Sequence, residues 1–547
     1  MSTTVDATST TPGLVEMQGI DVIAEADRIA KPRDLFMPWF AANVSVFGMS
    51  YGGFLLGFGI SFWQATAVAI IGIIFSFLIC GIIAIAGKRG SVPTMVLSRA
   101  AFGVKGQKVP GLVSWIASIG WETSLTIVAT LATATVFDQL GWSHGTATKV
   151  IACLVIAAIV VVASVLGYHT IMKLQSVLTW ITGAFTLVFM ALTIPKIHWS
   201  LVREIPSGST QAAIGALVMV MTGFGLGWVN IAADWSRYQR RESSSGAIVF
   251  WNTLGGSVAP VLLVIFGLLL VASNPEYATG VGADPIGALA AILPRWILLP
   301  FLVVAVLTLI SGAVLGIYSS GLTLLSLGIN IPRPAAALVD GLVLTAGTIW
   351  VVFFAENFIG PFQSFLITLG VPLAAWAGIM CADIALRRKP YDEQALFDAK
   401  GRYGGFDVTA ICTMIVASVI GWGLVVNNFA ADAAWNNWQG YLLEPLGLGT
   451  KSEVDGVQSW EGNWPWANLG VLVALVLGFV VTWLARRDIV AKQEAGQLTP
   501  EEQALAEAPP RRGDESVAPT RAASVAPLTM SAEESAEMAR LDDLETS

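Results

Sequence analysis

Trp121 and Glu122 stand side by side in a long apolar run, PGLVSWIASIGWETSLTIVATLATATVF, that begins at Pro110. At 1.5 Å per residue a helix would carry this pair about 16 Å into the run, close to the centre of a bilayer. A carboxylate at that depth is costly and faces a cavity or a partner. It can accept N–H groups from a ligand or exchange a proton; as a structural acid it would bond a neighbouring helix instead. Trp121 offers a flat face for ring stacking or for plain packing. A second stretch, GALVMVMTGFGLGWVNIAADWSRYQRR at 215–241, holds Gly223, Gly225 and Gly227 at every second position, then Trp228 and Asn230, then Asp234 with Arg237. Glycine in a helix interior costs about 1 kcal/mol relative to alanine. Backbone freed at membrane depth is tolerated where it is buried in protein or lines a cavity, and a helix broken at the midplane is a common way to build a transport site. Close packing through small residues is the competing account. In TLISGAVLGIYSSGLTLLSL, Ser311, Ser319 and Ser320 offer hydroxyls. Such hydroxyls commonly bond back to their own helix; Ser311, followed by Gly312, is the best ligand candidate. Asp234 and Arg237 form either a gate latch or ordinary end-of-helix charge, and Arg99 is placed at the same mouth.

The elements that must position these residues are membrane helices. The 547 residues are 55% apolar and 12% charged, with a mean hydropathy of +0.70. A soluble protein would carry about twice that charged fraction. The charge collects in loops and tails, and between them lie twelve apolar runs near the ~20 residues a span needs: 35–62, 66–86, 110–137, 148–167, 175–195, 212–234, 247–272, 292–328, 335–355, 359–386, 407–428 and 467–485. They are called spans one to twelve. Span eight is too long for one crossing unless it is tilted, broken or extended into a loop. Residues 1–34 form an N-terminal segment with no apolar signal core, residues 35–486 the helical domain, and residues 487–547 a disordered tail rich in Ala, Glu, Pro and Ser. Between spans eleven and twelve, Trp435, Trp438, Trp460, Trp464 and Trp466 read as an interfacial belt. Cys80, Cys153, Cys381 and Cys412 have no metal-ligand spacing and read as packing residues. His144, His169 and His198 are scattered, and no metal site, phosphate-binding loop or nucleophile–base pair is evident. The reading is therefore no enzyme, no cofactor and no nucleic-acid partner.

With the N-terminus inside, the outer segments keep only Lys149, Lys196, Arg203, Arg295 and Lys451 of the 30 basic residues. That asymmetry places both termini in the cytoplasm of a multi-pass plasma (inner) membrane protein. Spans one to five then start from inside and spans six to ten from outside, so two five-helix units are inverted. Span one carries Gly48, Gly52 and Gly53, and span six carries GFGLG. Gly-interrupted spans at corresponding positions of two inverted units point to a site at the midplane.

Taken together, GID and AEADR, then DLFMPWFAANVSV in span one, VLSRAAFGVKG before span three, IGW at Trp121, GW and NIAADWSRY in span six, and IYSSGL in span eight resemble the nucleobase–cation symporter family, first type, in its purine–cytosine permease branch. The resemblance covers residues 19–425 or so. It implies an all-α fold with a five-plus-five inverted-repeat core of the leucine-transporter type plus two helices. It also implies uptake of a small nitrogenous ring with H⁺ or Na⁺. On it, Trp121 falls on the tryptophan that stacks on substrate, the span-six site region falls on Phe224 to Trp228, and a cation would sit between the region Val46–Met49 and Ser311. Leu125 stands where purine–cytosine members often carry an amide, and Ala313, Val314 and Leu315 replace the Asn before the span-eight tyrosine motif. Glu122 compensates, since a carboxylate accepts two ring N–H bonds.

The resulting expectation is a secondary active importer of a nucleobase such as cytosine or a purine, working by alternating access. Its substrate set is Trp121, Glu122, Phe224, Gly225, Trp228 and Asn230. Its coupling-ion set is Val46, Met49, Ser311 and Glu122, with H⁺ preferred over Na⁺. The gate pair is Asp234 and Arg237. A permease for allantoin, hydantoin or thiamine, and a ligand-binding membrane sensor signalling through its tail, are the alternatives.

Overall fold

The computed structural model describes residues 19–495 apart from 166–167, 330, 431–432, 434–435 and 455–456. Trp435, residues 1–18 and the tail beyond 495 lie outside the described residues. Each of the twelve expected runs holds a helix or an interrupted helix. Among the described residues eight helices are long and apolar enough to cross a membrane, nine if Gly470–Ala485 and Arg487–Glu494 are one bent span; Thr146–Val162 and Val408–Trp422 are shorter apolar helices. Apolar side chains such as Ile71, Trp180, Leu187, Leu262, Leu342 and Phe354 are exposed on the outside of the bundle, as a lipid-facing wall requires. Span eight is one helix, Leu298–Ser326, preceded by a single turn at Arg295–Ile297 and a short helix Pro285–Ala291, so its surplus length is loop. The connection after span eleven is not wholly irregular. Thr450–Val454 and Val457–Glu461 pair antiparallel, Thr450 opposite Glu461, with Ser452 and Ser459 hydroxyls 2.8 Å apart across the ladder.

The helices sort into two packed groups. Span seven, Ser245–Ser273, lies against span two and both halves of span one, and span six packs on span two. Span eight lies along span three, with spans four, five and nine around them. Span ten pairs with span twelve. The two interrupted spans, one and six, are the first members of the two five-helix units.

Span one stops at Asn43 and resumes at Phe47. The sequence placed the interruption at its glycines; the structure moves it ahead of them. Asn43 Nδ2 donates to Trp39 O at 2.8 Å and Ser45 Oγ accepts from Phe47 N–H at 3.3 Å, so these polar side chains replace helix hydrogen bonds where the chain turns. Gly48, Gly52 and Gly53 lie in the second helix. At Gly52 an added Cβ would stand 2.3 Å from Leu268 N, and at Gly53 one would stand 2.5 Å from Val281 Cγ1. Gly52 and Gly53 serve close packing, whereas Gly48 lines the cavity described below.

Span six runs Thr210–Gly223, turns at Phe224, and continues through Gly225–Trp228 and a tight 3₁₀ turn, Val229–Ile231, to Ala232–Ser236. Its three glycines each face a different helix. A Cβ on Gly223 would enter the Tyr51 ring of span one at 2.4 Å, one on Gly225 would meet Ser76 C of span two at 2.2 Å, and one on Gly227 would meet Trp121 Nε1 of span three at 2.8 Å. Ser76 Oγ accepts from Gly225 N–H at 3.1 Å, and Tyr51 Oη donates to Gly223 O at 3.3 Å. Break and close packing, alternatives on sequence alone, coincide here.

Residues 19–34 and 487–494 lie on one end of the bundle, the terminal face. Residues Arg487–Glu494, assigned on sequence to a disordered tail, form a helix with Val490 buried. The helix is held because buried Arg387 donates to Gln493 Oε1 at 2.5 Å. Arg387 and Arg486 both bond Asp383, at 2.6 and 2.5 Å, and Arg486 also reaches Asp407 at 3.0 Å. On the same face Arg241 bonds Glu25 and Glu393, each at 2.8 Å, and Arg28 donates to Gln239 O at 3.1 Å and Lys88 O at 2.7 Å.

Gly225→Leu is expected to damage the bundle itself, because the new side chain meets span-two backbone that cannot yield as a side chain would. Overpacking of this kind costs about 1–3 kcal/mol or more. The measurement is the melting temperature and elution profile of detergent-extracted protein; wild-type behaviour in both would contradict the packing account.

Candidate functional site

A cavity of about 750 Å³, its mouth included, lies between the two interrupted spans and spans three and eight. Of the candidate residues, Trp121, Glu122, Phe224, Trp228 and Asn230 line it. Trp121 is held edge-on by Phe362 at 5.7 Å and Phe365 at 5.5 Å between ring centroids. Phe224 sits at the span-six turn, with φ −122° and ψ −110°, and its ring lies 4.5 Å from that of Tyr51. Trp228 meets Trp39 edge to face at 5.9 Å. Aromatic side chains from spans three and six therefore converge on one space, which suits a flat ring.

Two of the polar groups that line this space carry unpartnered oxygens. Glu122 is fully buried, and neither carboxyl oxygen has a hydrogen-bond partner. It packs on Gly316 of span eight, where a Cβ would stand 2.9 Å from Glu122 Oε1. A buried polar atom without a partner is a substantial cost unless a ligand, an ion or a proton satisfies it. Asn230 Nδ2 donates to Ser114 Oγ at 2.9 Å and Ser118 Oγ at 3.2 Å, while its Oδ1 is buried without a partner. The amide is thus oriented by span three, leaving an acceptor for a ligand N–H.

The remaining candidates are placed elsewhere. Gly225 lies against span two, off the cavity wall, for the packing reason given above. Val46, Met49 and Ser311 are buried and are not cavity-lining residues. Val46 O accepts Met49 N–H at 3.0 Å, and Met49 O lies against span seven, 1.9 Å from where a Gly267 Cβ would be. The half of span one that packs on span eight is Phe36–Asn43, before the break. Asp234 accepts both the backbone N–H and the hydroxyl of Thr94, each at 2.7 Å, which ties span six to the loop after span two. Arg237 donates to Tyr318 Oη of span eight at 3.3 Å and lies over the Tyr238 ring. Arg99 donates to Ser326 O at 3.0 Å and Leu396 O at 3.1 Å; burial pushes its guanidinium down to about 10, so it remains a cation at neutral pH. These contacts join span six and the loop after span two to span eight and the segment after span ten.

Sequence reasoning passed over Asn43, Tyr51 and Ser118, which also line the cavity. Ser118 lies one helical turn before Glu122, on the same face, and Asn43 is a lone amide in an apolar run; both signals were available. Tyr51 carried none beyond its type.

The family model for permeases for cytosine/purines, uracil, thiamine and allantoin matches residues 22–443. The Bacillus subtilis protein YxlA, which carries the name of a purine-cytosine permease, is 25% identical over 399 residues, covering 71% of this chain and 84% of that protein. The purine-cytosine permease FCY2 of Saccharomyces cerevisiae is 22% identical over 377 residues, covering 66% and 69%. In fold, the chain is similar to Mhp1, a nucleobase-cation-symport-1 family transporter solved in a closed conformation with bromovinylhydantoin bound. The TM-score is 0.65 at 18% identity, over 90% of this chain and 99% of that one. A Na⁺-coupled sialic acid symporter shares the fold more distantly, with a TM-score of 0.52 at 11% identity, over 84% and 91%. The five-plus-five inverted-repeat core expected from the resemblance is the fold of this chain. With the family model matching most of its length and the helices arranged in that fold, this chain is a membrane-embedded permease, not an enzyme, and belongs to the family of permeases for cytosine/purines, uracil, thiamine and allantoin.

Proposed function

We propose that this permease is a proton-coupled importer of a nucleobase such as cytosine or a purine, and that it works by alternating access. The observation that carries the reading is the cavity between the two interrupted spans, where the Trp121 ring and the unpartnered Glu122 carboxyl lie together. An aromatic face stacks on a flat heterocycle, and the carboxyl reads its edge. Ionised, Glu122 accepts two N–H groups; protonated, it donates one bond and accepts another. Loading a proton therefore changes which edge the site fits, which links proton and substrate binding. Asn230 supplies a further acceptor. Mhp1 with its bound hydantoin supports a heterocycle in this fold.

Protons are favoured over sodium because a buried acid without a fixed cationic partner exchanges charge with the surroundings most cheaply by taking up a proton. Sodium needs several converging oxygens, and Val46 O already accepts from Met49 N–H while Met49 O lies against span seven. The gate of this reading lies at the terminal face, with Asp234 on Thr94 and Arg237 on Tyr318 as its latch. The concentration of Lys and Arg assigns that face to the cytoplasm of the plasma (inner) membrane, with residues 35–486 as the transport domain.

Trp121→Ala is expected to weaken binding of the transported base by about 1–3 kcal/mol, as other ring-stacking side chains do, and Trp121→Phe to recover part of it. Equilibrium binding to purified protein, screened over cytosine, adenine, guanine, hypoxanthine, hydantoin, allantoin and thiamine, measures this. Wild-type affinity in Trp121→Ala would remove the stacking role, and binding confined to thiamine or hydantoin would replace the nucleobase reading.

Coupling is read in proteoliposomes. A pH gradient, acid outside, is expected to drive accumulation of the base in the wild type and to fail in Glu122→Gln, whereas a sodium gradient at equal pH is expected to drive none. Sodium-driven accumulation would refute proton coupling. Proton-driven accumulation surviving in Glu122→Gln would remove Glu122 from the mechanism.

A further inference from the structure

The cavity acid is not the only carboxyl within this part of the bundle. Asp340, in span nine (Arg333–Phe354), is fully buried. Ser320 Oγ of span eight donates to its Oδ2 at 2.5 Å, and Trp115 Nε1 of span three donates to its Oδ1 at 2.9 Å. No lysine or arginine pairs with it among the described residues. The groups that face it are Trp115 from span three, Ser320 from span eight and, beside its neighbour Gly341, the apolar Val161 of span four. Asp340 and Ser320 are the polar groups whose influence reaches Glu122, Ser320 without closing a hydrogen bond to it. Ser320 lies one turn beyond Gly316, the residue Glu122 packs on, so the two positions share a face of span eight.

The order of these groups is directional. Trp115 precedes Glu122 by two turns of span three, toward the terminal face where that helix begins at Lys108. Asp340 lies two turns into span nine, which also begins at that face. Asp340 is thus about 10 Å below the terminal face and Glu122 about twice as deep. Ser320 is chemically suited to stand between them. Its one proton goes to Asp340, or to Ile317 O at 3.0 Å, while its lone pairs remain open to a donor. A protonated Glu122 is such a donor.

We propose that Asp340 is the acceptor to which Glu122 passes its proton through Ser320 on the way to the terminal face. This inference rests on the proton-coupled reading of Glu122 given above. In the step the Glu122 O–H bond breaks as its proton bonds to Ser320 Oγ, and the Ser320 O–H bond breaks as that proton bonds to Asp340 Oδ2. Glu122 is left as a carboxylate and Asp340 as a carboxylic acid, with Ser320 unchanged and the total charge of the pair the same: the negative charge passes from Asp340 to the cavity. Asp340 then loses the proton toward the terminal face. Trp115 keeps the acceptor in place by donating to its other oxygen. Asp340 and Ser320 are relay residues and do not touch the substrate.

The test uses full-length protein in proteoliposomes with a trapped pH-sensitive dye and with labelled cytosine and hypoxanthine as probes. Under an imposed pH gradient, Asp340→Asn is expected to lower dye-reported proton entry per base at least tenfold and to abolish accumulation. Base-for-base exchange between loaded vesicles, which needs no net proton release, is expected to persist in the same preparation. Ser320→Ala is expected to show the same split and Ser320→Thr, which keeps the hydroxyl, to restore coupling. Wild-type proton entry in Asp340→Asn would overturn the relay. So would loss of exchange together with accumulation, which would make Asp340 a structural residue, or coupling that is equal in Ser320→Ala and Ser320→Thr. If the wild type accumulates neither probe under a pH gradient, the underlying proton-coupled reading fails, and the relay with it, whatever Asp340→Asn does.

Discussion

Everything in this bundle answers to one constraint: backbone polar groups inside a membrane must find partners within the protein. Two helices violate regularity at that depth, and each violation is satisfied by side chains or neighbouring helices chosen for it. In span one, Asn43 and Ser45 supply the replacement bonds. In span six, Ser76 takes the Gly225 N–H and Tyr51 reaches the Gly223 carbonyl. Because each of the three span-six glycines abuts a different helix, the same residues that let the helix turn also fix where it turns. The cavity is what remains between two helices so arranged.

The charges obey the same economy. At the terminal face one buried group is matched in charge: Asp383 holds both Arg387 and Arg486, and Asp407 takes a second bond from Arg486. Removing one member of such a cluster would leave an uncompensated buried charge, which is why clusters of this kind bind elements tightly without making a protein more stable than apolar packing would. The cluster joins spans ten, eleven and twelve to the helix after span twelve. The opposite case is Glu122, buried with no partner for either oxygen. A buried acid whose oxygens find no hydrogen bond, where Asp383 and Asp340 find theirs, is a candidate for binding a ligand or exchanging a proton.

Spans one and six supply the cavity wall with mobile-looking geometry, short helices and turns, whereas spans three and eight supply long unbroken helices, Lys108–Leu140 and Leu298–Ser326. The chemistry is divided accordingly. Trp121, Glu122 and Ser320 sit on the unbroken helices, where a rigid backbone holds their positions, and Phe224, Trp228 and Asn230 sit where the chain turns. Asp234 and Arg237 follow at once, so span six carries both the cavity wall and the contacts to Thr94 and Tyr318 within a few residues.

Much of this was legible in the sequence because membranes restrict what a chain can do. Apolar runs near the length of a bilayer located the helices, charge placement ordered the loops, and a glutamate beside a tryptophan at mid-depth identified the cavity wall. What the sequence could not decide was which of two good physical accounts applied at a given glycine or serine. Gly52 and Gly53 looked like a break and are packing, while Gly225 looked like a cavity residue and lies against Ser76, since a missing side chain says only that something is close. Arg487–Glu494 has a tail's composition, yet Arg387 captures it from a distant loop. Asp340 went unremarked because its meaning is entirely relational: it depends on Ser320 and Trp115, brought to it by the packing of three helices. The local requirement, a helix or a break, is written in the chain, and the identity of the neighbour that meets it is settled only when the helices are assembled.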